Sequence, residues 1–333
     1  MRLGLAANRL HHQDHDAALF RFLRCSEAGL RELQCALHAV GRTFEAIQQH
    51  GPLQGDPLVV RYPHGRAGGL MKLVAEVVGM ADGRCLDGAI YLMDPVDPSS
   101  IFPEAIALKR QCVIHAKPFI STVASARDWV EVERLHLGMP ADPGADDLHA
   151  LERQTLALIA HDAMKPAMLA FADAHFDVLS RFARRIGTGT TGQRLNELAW
   201  SRGWPTGLPW VQRYQSGPMG GDAQIADEVL EGHCQRAVFF EDPHVARQHE
   251  ADIQLLERAV TTVTDHAVCI TAPRVADRWA TATAIRQRQK GQRPTAAAAA
   301  SPSAGDLQAG SSRAVAANAG TAVPPRARTP AND

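Results

Sequence analysis

Short apolar runs alternate with helical patterns along most of this chain. In the second half, we predict strands near 155–160, 183–187, 209–214, 235–241 and 267–271. Between and after them, the spacing of apolar positions predicts helices near 165–180, 191–203, 222–231, 249–262 and 274–283. Alternation of this kind is typical of a doubly wound parallel sheet, so the predicted fold class is α/β.

The same pattern occurs twice along the sequence. "RLGLAAN" matches "TLALIAH", "RYPHGRAGGLMKLVAEVV" matches "RYQSGPMGGDAQIADEVL", and "AIYLMDP" matches "AVFFEDP". Trp129 and Trp279 form a fourth matching pair, and Asp94 and Asp242 are the aspartates of the third. Four landmarks in one order at a nearly constant separation predict two such domains in tandem, produced by duplication.

Two changes in composition set the predicted domain bounds. "LGMPADPGADDLHAL" at 137–151 contains two prolines and three aspartates, which favours a linker. From about 288 onward Ala, Pro, Ser and Gly dominate, which predicts disorder. We therefore predict a degenerate domain at 1–136, a linker at 137–152, a catalytic domain at 153–284 and a disordered tail at 285–333.

Composition and charge exclude several classes of protein. Lys and Arg together number 35 and Asp and Glu 36, which leaves a formal net charge of −1 and predicts no nucleic-acid or membrane partner. The six cysteines form no CxxC pair, so we expect buried free thiols rather than disulfides or a zinc site. The N-terminus turns polar early and no apolar run approaches bilayer length, which predicts a soluble cytoplasmic protein.

Chemically active residues follow the predicted strands of the second half. In parallel sheets, ligands bind beyond the carboxyl ends of the strands. We call this end of the sheet the rim. "GTGTTG" at 187–192 leaves backbone N–H groups accessible at a helix N-terminus, and we call this segment the phosphate cradle. "SGPMGGD" at 216–222 follows the third strand. The other rim candidates are one ammonium group, two histidines and three carboxylates: Lys165, His161, His249, Asp162, Asp242 and Asp252.

Each of these features also has a purely structural interpretation. Asp222 has the residue type and position of a helix N-cap, and the phosphate cradle has those of a tight turn before a capped helix. Lys165 is of a type that is usually a solvated surface charge, and His249 and Asp252 are spaced like an exposed pair on one helix face. Their joint position on one rim favours a functional site.

Four motifs resemble those of the methylglyoxal synthase family: "AHDAMK", "TGTTG", "SGPMGGD", and "DP" followed by "HEAD". The resemblance covers about 154–280 and implies elimination of phosphate from dihydroxyacetone phosphate, with no metal or organic cofactor. It implies that Asp222 is the catalytic base and that His161 and His249 contact the substrate. It assigns phosphate binding to Lys165, Thr188, Gly189, Thr190, Thr191, Ser216 and Gly217.

The implied chemistry suggests further roles. His249, steadied by Asp252, would donate to the enediolate oxygen, and Asp162 and Asp242 would orient these groups and relay protons. The family's chain usually closes with an arginine that reaches a phosphate. Arg274, Arg278 and Arg286 are the candidates for that arginine here.

The first half keeps the predicted strands but not the chemistry. Leu70 stands at the position of Asp222, and "VGRTF" at 40–44 replaces "TGTTG". Two interpretations are open: a scaffold, or a regulatory anion site. The candidate anion-binding residues are Arg42, Thr43, Arg61, His64 and Arg66.

The resemblance also implies partners. It predicts dihydroxyacetone phosphate as a small-molecule substrate, phosphate as an inhibitor, and assembly into a homo-oligomer. The alternative is a non-catalytic regulatory protein of the same fold that binds a phosphorylated metabolite.

Overall fold

Each half of the chain forms one five-stranded sheet. The computed structural model describes residues 1–101, 103–244 and 250–292. The first sheet contains β1 (Arg2–Ala7), β2 (Ala36–Ala39), β3 (Val59–Arg61), β4 (Gly88–Leu92) and β5 (Phe119–Ile120). The second contains β6 (Thr155–Ala160), β7 (Arg184–Gly187), β8 (Gln212–Arg213), β9 (Arg236–Phe240) and β10 (Val268–Ile270).

The two sheets have the same topology. Their strand orders are β3-β2-β1-β4-β5 and, in the reverse direction, β10-β9-β6-β7-β8, and all of these neighbours pair in parallel. In the second sheet the chain runs from β6 outward to β8 and then returns to place β9 on the other side of β6. The carboxyl ends of β6 and β9 therefore form the switch point where α/β sheets bind ligands.

Helices connect the strands. In the first half they are α1 (Ala18–Glu32), α2 (Gly41–His50), α3 (Gly69–Val78), α4 (Pro103–Ile114) and α5 (Val123–His136). In the second half they are α6 (Lys165–Ala174), α7 (Phe176–Leu179), α8 (Gly189–Ser201), α9 (Gly221–Leu230), α10 (Glu250–Thr262) and α11 (Pro273–Gln292). The predicted α/β class with two parallel sheets is confirmed. One predicted helix, 165–180, is divided at His175, whose backbone leaves the helical conformation.

Two predicted boundaries fall inside ordered structure. The segment 137–152 contains short 3-10 helices, and Leu148 and Leu151 within it are buried. The predicted start of the tail at 285 is wrong, because α11 continues to Gln292. Arg286 explains the extension, since its side chain is only 1% exposed and pairs with Glu131 and Asp146. The other domain bounds stay predictions.

The two halves share a hydrophobic core. The described residues of both halves form one compact unit. Val132 and Leu135 of α5 pack in the same cluster as Leu156 of β6 and Trp279 of α11. Backbone groups also join the halves, since the Ala124 N–H donates to the Thr264 carbonyl at 2.9 Å. The first half is therefore part of the support for the second sheet.

All six cysteines are free thiols. Cys35, Cys112 and Cys234 are buried, and burial raises the pKa of each to about 12, which keeps the thiols protonated. The expectation of burial is wrong for Cys25 and Cys85, which are exposed. Within the described ranges, none of the helices has the length and apolar character needed to cross a membrane.

Candidate active site

His161 and Asp242 meet at the switch point of the second sheet. His161 follows β6 and Asp242 follows β9. The Asp242 N–H donates to His161 Nδ1 at 2.8 Å, and the His161 ring packs edge-on against Phe239 with centroids 5.0 Å apart. A backbone N–H can only donate, so Nδ1 is the acceptor. A neutral His161 ring therefore carries its proton on Nε2.

The phosphate cradle lies at the N-terminus of α8. Thr188 is the N-cap residue but makes no side-chain capping bond, and the Gly189 N–H donates to the Gln215 carbonyl at 2.9 Å. The next N–H groups, of Thr190 and Thr191, are of the kind that a helix end offers to an anion. Thr191 is only 3% exposed, and its hydroxyl has no hydrogen-bond partner among the described residues. A buried hydroxyl of this kind suits a ligand oxygen.

A tight turn before α9 sets the position of Asp222. Gly220 has φ +93°, and a Cβ on Gly221 would lie 1.9 Å from the Gln215 carbonyl oxygen. Both positions therefore require glycine. Gly220 is the N-cap residue, and Asp222 is the second residue of the helix. The interpretation of Asp222 as an N-cap is wrong.

The turn brings the Asp222 carboxylate against the loop that follows β8. A Cβ on Gly217 would lie 2.7 Å from Asp222 Oδ2, and a Cβ on Gly189 would lie 2.9 Å from Ser216 Cα. Asp222 itself is half-buried. The phosphate cradle, the Ser216–Gly217 backbone and the Asp222 carboxylate therefore form one continuous surface.

Lys165 and Asp162 form an ion pair at the start of α6. Lys165 Nζ lies 2.5 Å from Asp162 Oδ1. The Asp162 side chain is 96% exposed, whereas that of Lys165 is mostly buried. The ammonium group is therefore held at the rim by a carboxylate that faces solvent.

Most of the predicted site residues lie at the rim of the second sheet, after the carboxyl ends of its strands. They are His161, Asp162, Lys165, Thr188, Gly189, Thr190, Thr191, Ser216, Gly217, Asp222 and Asp242. His249 lies outside the described residues, as does the side chain of Asp252, whose backbone is in the first turn of α10. In the part of the chain that the structure describes, no group of three or more His, Cys, Asp or Glu side chains is placed to hold a metal ion.

Two of the three candidates for the family's closing arginine are engaged elsewhere. Arg278 donates to both carboxylate oxygens of Glu133, at 2.7 and 2.5 Å. Arg286 is buried against Glu131 and Asp146. The interpretation that Arg278 or Arg286 reaches the phosphate is therefore wrong, because both tie α11 to α5 and to the segment after it.

Sequence reasoning did not single out a charged cluster behind the site. Lys109 of α4 contacts Glu241, the residue before Asp242, and Glu257 of α10. The sequence does contain a signal for this cluster. Where the second half has Glu241, the matching position of the first half has Met93. A buried strand end that changes from methionine to glutamate needs a cation nearby.

No family model matches this chain. It is 49% identical over 105 residues to a methylglyoxal synthase of Thermus thermophilus, which covers 32% of this chain and 76% of that protein. It is 44% identical over 108 residues to a methylglyoxal synthase of Ralstonia nicotianae, covering 32% and 73%, and 41% identical over 103 residues to one of Clostridium beijerinckii, covering 31% and 79%.

Among solved structures, a methylglyoxal synthase from Elizabethkingia anophelis aligns with 40% of this chain and 75% of its own, at 30% identity and a TM-score of 0.30.

Proposed function

The chain belongs to the methylglyoxal synthase family over a segment of about 105 residues, and we propose that its second half converts dihydroxyacetone phosphate to methylglyoxal and inorganic phosphate. The observation that carries the proposal is the Asp222 carboxylate, which the turn at Gly220 and Gly221 holds beside the phosphate cradle. Release of inorganic phosphate from dihydroxyacetone phosphate by the purified chain tests it.

Asp222 is the base in this proposal. It removes a proton from the hydroxymethyl carbon beside the ketone, and the electron pair moves into an enediolate. The carbon–oxygen bond to phosphate then breaks, phosphate leaves with the bridging oxygen, and the remaining enol takes up a proton at carbon to become methylglyoxal. The products together contain the atoms of the substrate, so no further reactant is needed.

We assign to His161 a second donation to the substrate oxygen on which negative charge develops, beside the donation that the family resemblance implies for His249. Its Nδ1 accepts the Asp242 N–H, so a neutral ring donates through Nε2. A fixed neutral donor avoids the cost of reorganising solvent when the charge forms. Asp242 therefore acts through its backbone, and the role predicted for its carboxylate is not required for this step.

The phosphate cradle holds the leaving group. Backbone N–H groups at the start of α8, the Thr191 hydroxyl and the Lys165 ammonium group supply donors for a dianion. Inhibition by inorganic phosphate follows, since phosphate fills the same cradle. Assembly into a homo-oligomer, which the family resemblance implies, stays a prediction.

Thr191→Val tests the cradle. We expect the Kd for inorganic phosphate to rise by at least about tenfold, because a hydrogen bond to a charged group contributes about 1.5–3 kcal/mol. Stability should not fall, since valine removes a buried hydroxyl that lacks a protein partner among the described residues. Calorimetric titration with phosphate and chemical denaturation measure the two effects.

Thr43→Val is the matched control for this variant. Thr43 holds the equivalent position in α2, and its hydroxyl accepts the Ala7 N–H at 3.0 Å. We expect that variant to be destabilised and its phosphate affinity to be unchanged. Equal phosphate affinity in wild type and Thr191→Val would contradict the cradle.

Gly217→Ala tests the position of the base. The added Cβ would lie 2.7 Å from Asp222 Oδ2, so the carboxylate must move while the backbone need not. We expect kcat to fall by about tenfold or more with little loss of stability, since small displacements of catalytic groups are costly. Gly65→Ala is the control, because a Cβ at this equivalent position of the first half meets nothing within 4 Å. Wild-type kcat in Gly217→Ala would contradict the placement of Asp222.

We also propose that the two halves arose by duplication and that the first lost the chemistry. Besides the common strand order, each half has a tyrosine hydroxyl bonded to a glutamate at the same spacing: Tyr62 to Glu76, and Tyr214 to Glu228. Gly68 repeats the positive φ of Gly220, at +83°. Leu70 replaces the base, so this half cannot perform the same proton transfer.

Part of the predicted anion site of the first half is occupied by an acidic side chain. Arg61 donates to Glu45 at 3.0 Å, and His64 lies 3.2 Å from the same carboxylate. Two of the candidate anion-binding residues are thus paired with an acid. The scaffold interpretation is the one that we adopt.

A further inference from the structure

Three charged side chains from the two halves meet behind the candidate active site. Lys109 Nζ of α4 lies 2.9 Å from Glu241 Oε1 and 3.2 Å from Glu257 Oε2 of α10. All three side chains are mostly buried. Removal of one partner from a buried ionic cluster leaves an uncompensated charge and is strongly destabilising.

This cluster is not a ligand site. The cavity that its residues line has a volume of only about 20 Å³, far below that of a metabolite pocket. Burial raises the pKa of Glu241, and Lys109 opposes that rise. The ammonium group, 2.9 Å from Glu241 Oε1, therefore holds this side chain in place.

The two glutamates of the cluster lie close in sequence to predicted site residues. Glu241 is followed directly by Asp242, whose N–H fixes the His161 ring. Glu257 belongs to α10, whose first turn contains Asp252. A single lysine from the first half thus holds both the end of β9 and the helix that follows it.

Lys109 and Glu257 occupy equivalent positions in the two halves. Lys109 follows Asp94 at the same spacing at which Glu257 follows Asp242, and α4 and α10 come after the equivalent strands β4 and β9. These equivalent residues therefore contact each other across the junction of the halves, with a lysine in the first half and a glutamate in the second. Two copies of the second half in this arrangement would place four carboxylates together with no lysine, which disfavours such a pair.

We propose that Lys109 of the first half is a positioning residue for the active site of the second half. It acts through Glu241 and Asp242 on His161, and through Glu257 on α10. The first half is then required for turnover although it carries no base. This inference rests on the proposed function, but part of its test does not.

Lys109→Met in the full chain is the first test. We expect kcat for dihydroxyacetone phosphate to fall by about ten- to a hundredfold, as displacement of catalytic groups predicts. The KM and the Kd for inorganic phosphate should stay within about threefold, because the phosphate cradle lies on the opposite side of β6. Arg21→Met is the matched control: it removes another ion pair between the halves, to Asp265 at 2.7 Å, and should leave kcat unchanged.

Amide hydrogen exchange gives a readout that needs no activity. In Lys109→Met, exchange should rise in peptides covering 236–244 and 254–262, which contain the Lys109 partners Glu241 and Glu257. It should stay unchanged in 213–222, which contains neither partner. Arg21→Met should leave all three unchanged. Unchanged exchange in 236–244 together with wild-type kcat overturns the positioning role, whereas a wild type without turnover overturns the proposed function alone.

A swap of the charges of Lys109 and Glu257 is the second test. The double variant Lys109→Glu with Glu257→Lys keeps one ammonium group and two carboxylates in the cluster, so it should restore protection of 236–244 and most of kcat. If Lys109→Met does not fold, this double variant carries the test by itself. A folded double variant with high exchange at 236–244 and reduced kcat overturns the proposal.

Discussion

Asp222→Asn should lower kcat for dihydroxyacetone phosphate by at least about a hundredfold, while the Kd for inorganic phosphate stays close to that of wild type. Asparagine keeps the size of the side chain but cannot accept the proton, and general-base catalysis contributes about 10²–10⁴ in rate. The cradle is formed by other residues, so phosphate binding should persist. Steady-state kinetics and calorimetric titration with phosphate measure the two quantities.

Asp227→Asn is the matched control, because Asp227 is exposed on the same helix. It should have wild-type kinetics. If Asp222→Asn keeps near-normal kcat, the base is another residue and the mechanism proposed here is wrong. If it loses phosphate binding as well, Asp222 serves the structure of the rim rather than proton transfer.

Asp128→Ala should lower the free energy of unfolding by about 3–5 kcal/mol, as expected when one partner of a buried ion pair is removed. Asp128 lies on α5 of the first half and accepts two hydrogen bonds from Arg236 of β9, at 2.9 and 2.8 Å. Arg236 is only 1% exposed, so the variant leaves a buried guanidinium without its carboxylate. Chemical denaturation at neutral pH measures the loss.

The control for this variant is Asp265→Ala, which breaks the partly exposed pair with Arg21 and should cost no more than about 1 kcal/mol. Equal losses in the two variants would contradict the importance assigned to the buried pair.

The same ion pair predicts a pH dependence of stability. Burial disfavours ionisation of Asp128, but Arg236 and His149 outweigh it and hold the pKa of the carboxyl well below its usual range. A carboxyl whose pKa is lower in the folded chain stabilises fully above its unfolded pKa of about 3.9 and progressively less below it. The stability difference between wild type and Asp128→Ala should therefore shrink as pH falls below about 4.

Much of the second sheet could be predicted because its elements depend on local patterns. The strands β6, β7, β9 and β10 begin and end within a residue or two of their predicted positions. The strand predicted at 209–214 is shorter because the Asn196 side chain bonds both backbone groups of Val211, at 2.7 and 3.0 Å. Only Gln212 and Arg213 then pair with β7. A side chain from the preceding helix gives no signal in a local pattern.

The rim could be predicted for a different reason. A parallel sheet brings the carboxyl ends of its strands together, so topology alone collects His161, the phosphate cradle and the turn before Asp222. What the sequence does not indicate is contact between distant segments. Arg286 lies within the tail predicted at 285–333, and its partner Glu131 belongs to the other half of the chain. Lys109 and Glu241 also come from different halves, and no motif joins them.

Elimination of phosphate from dihydroxyacetone phosphate is the reaction that we propose for this chain. The most direct measurement is the parallel assay of inorganic phosphate and methylglyoxal after incubation of the purified full chain with dihydroxyacetone phosphate, beside Asp222→Asn. The proposal predicts equal molar amounts of both products from the wild type and almost none from the variant. A wild-type chain that binds phosphate but releases neither product would contradict it and would favour a binding protein of the same fold.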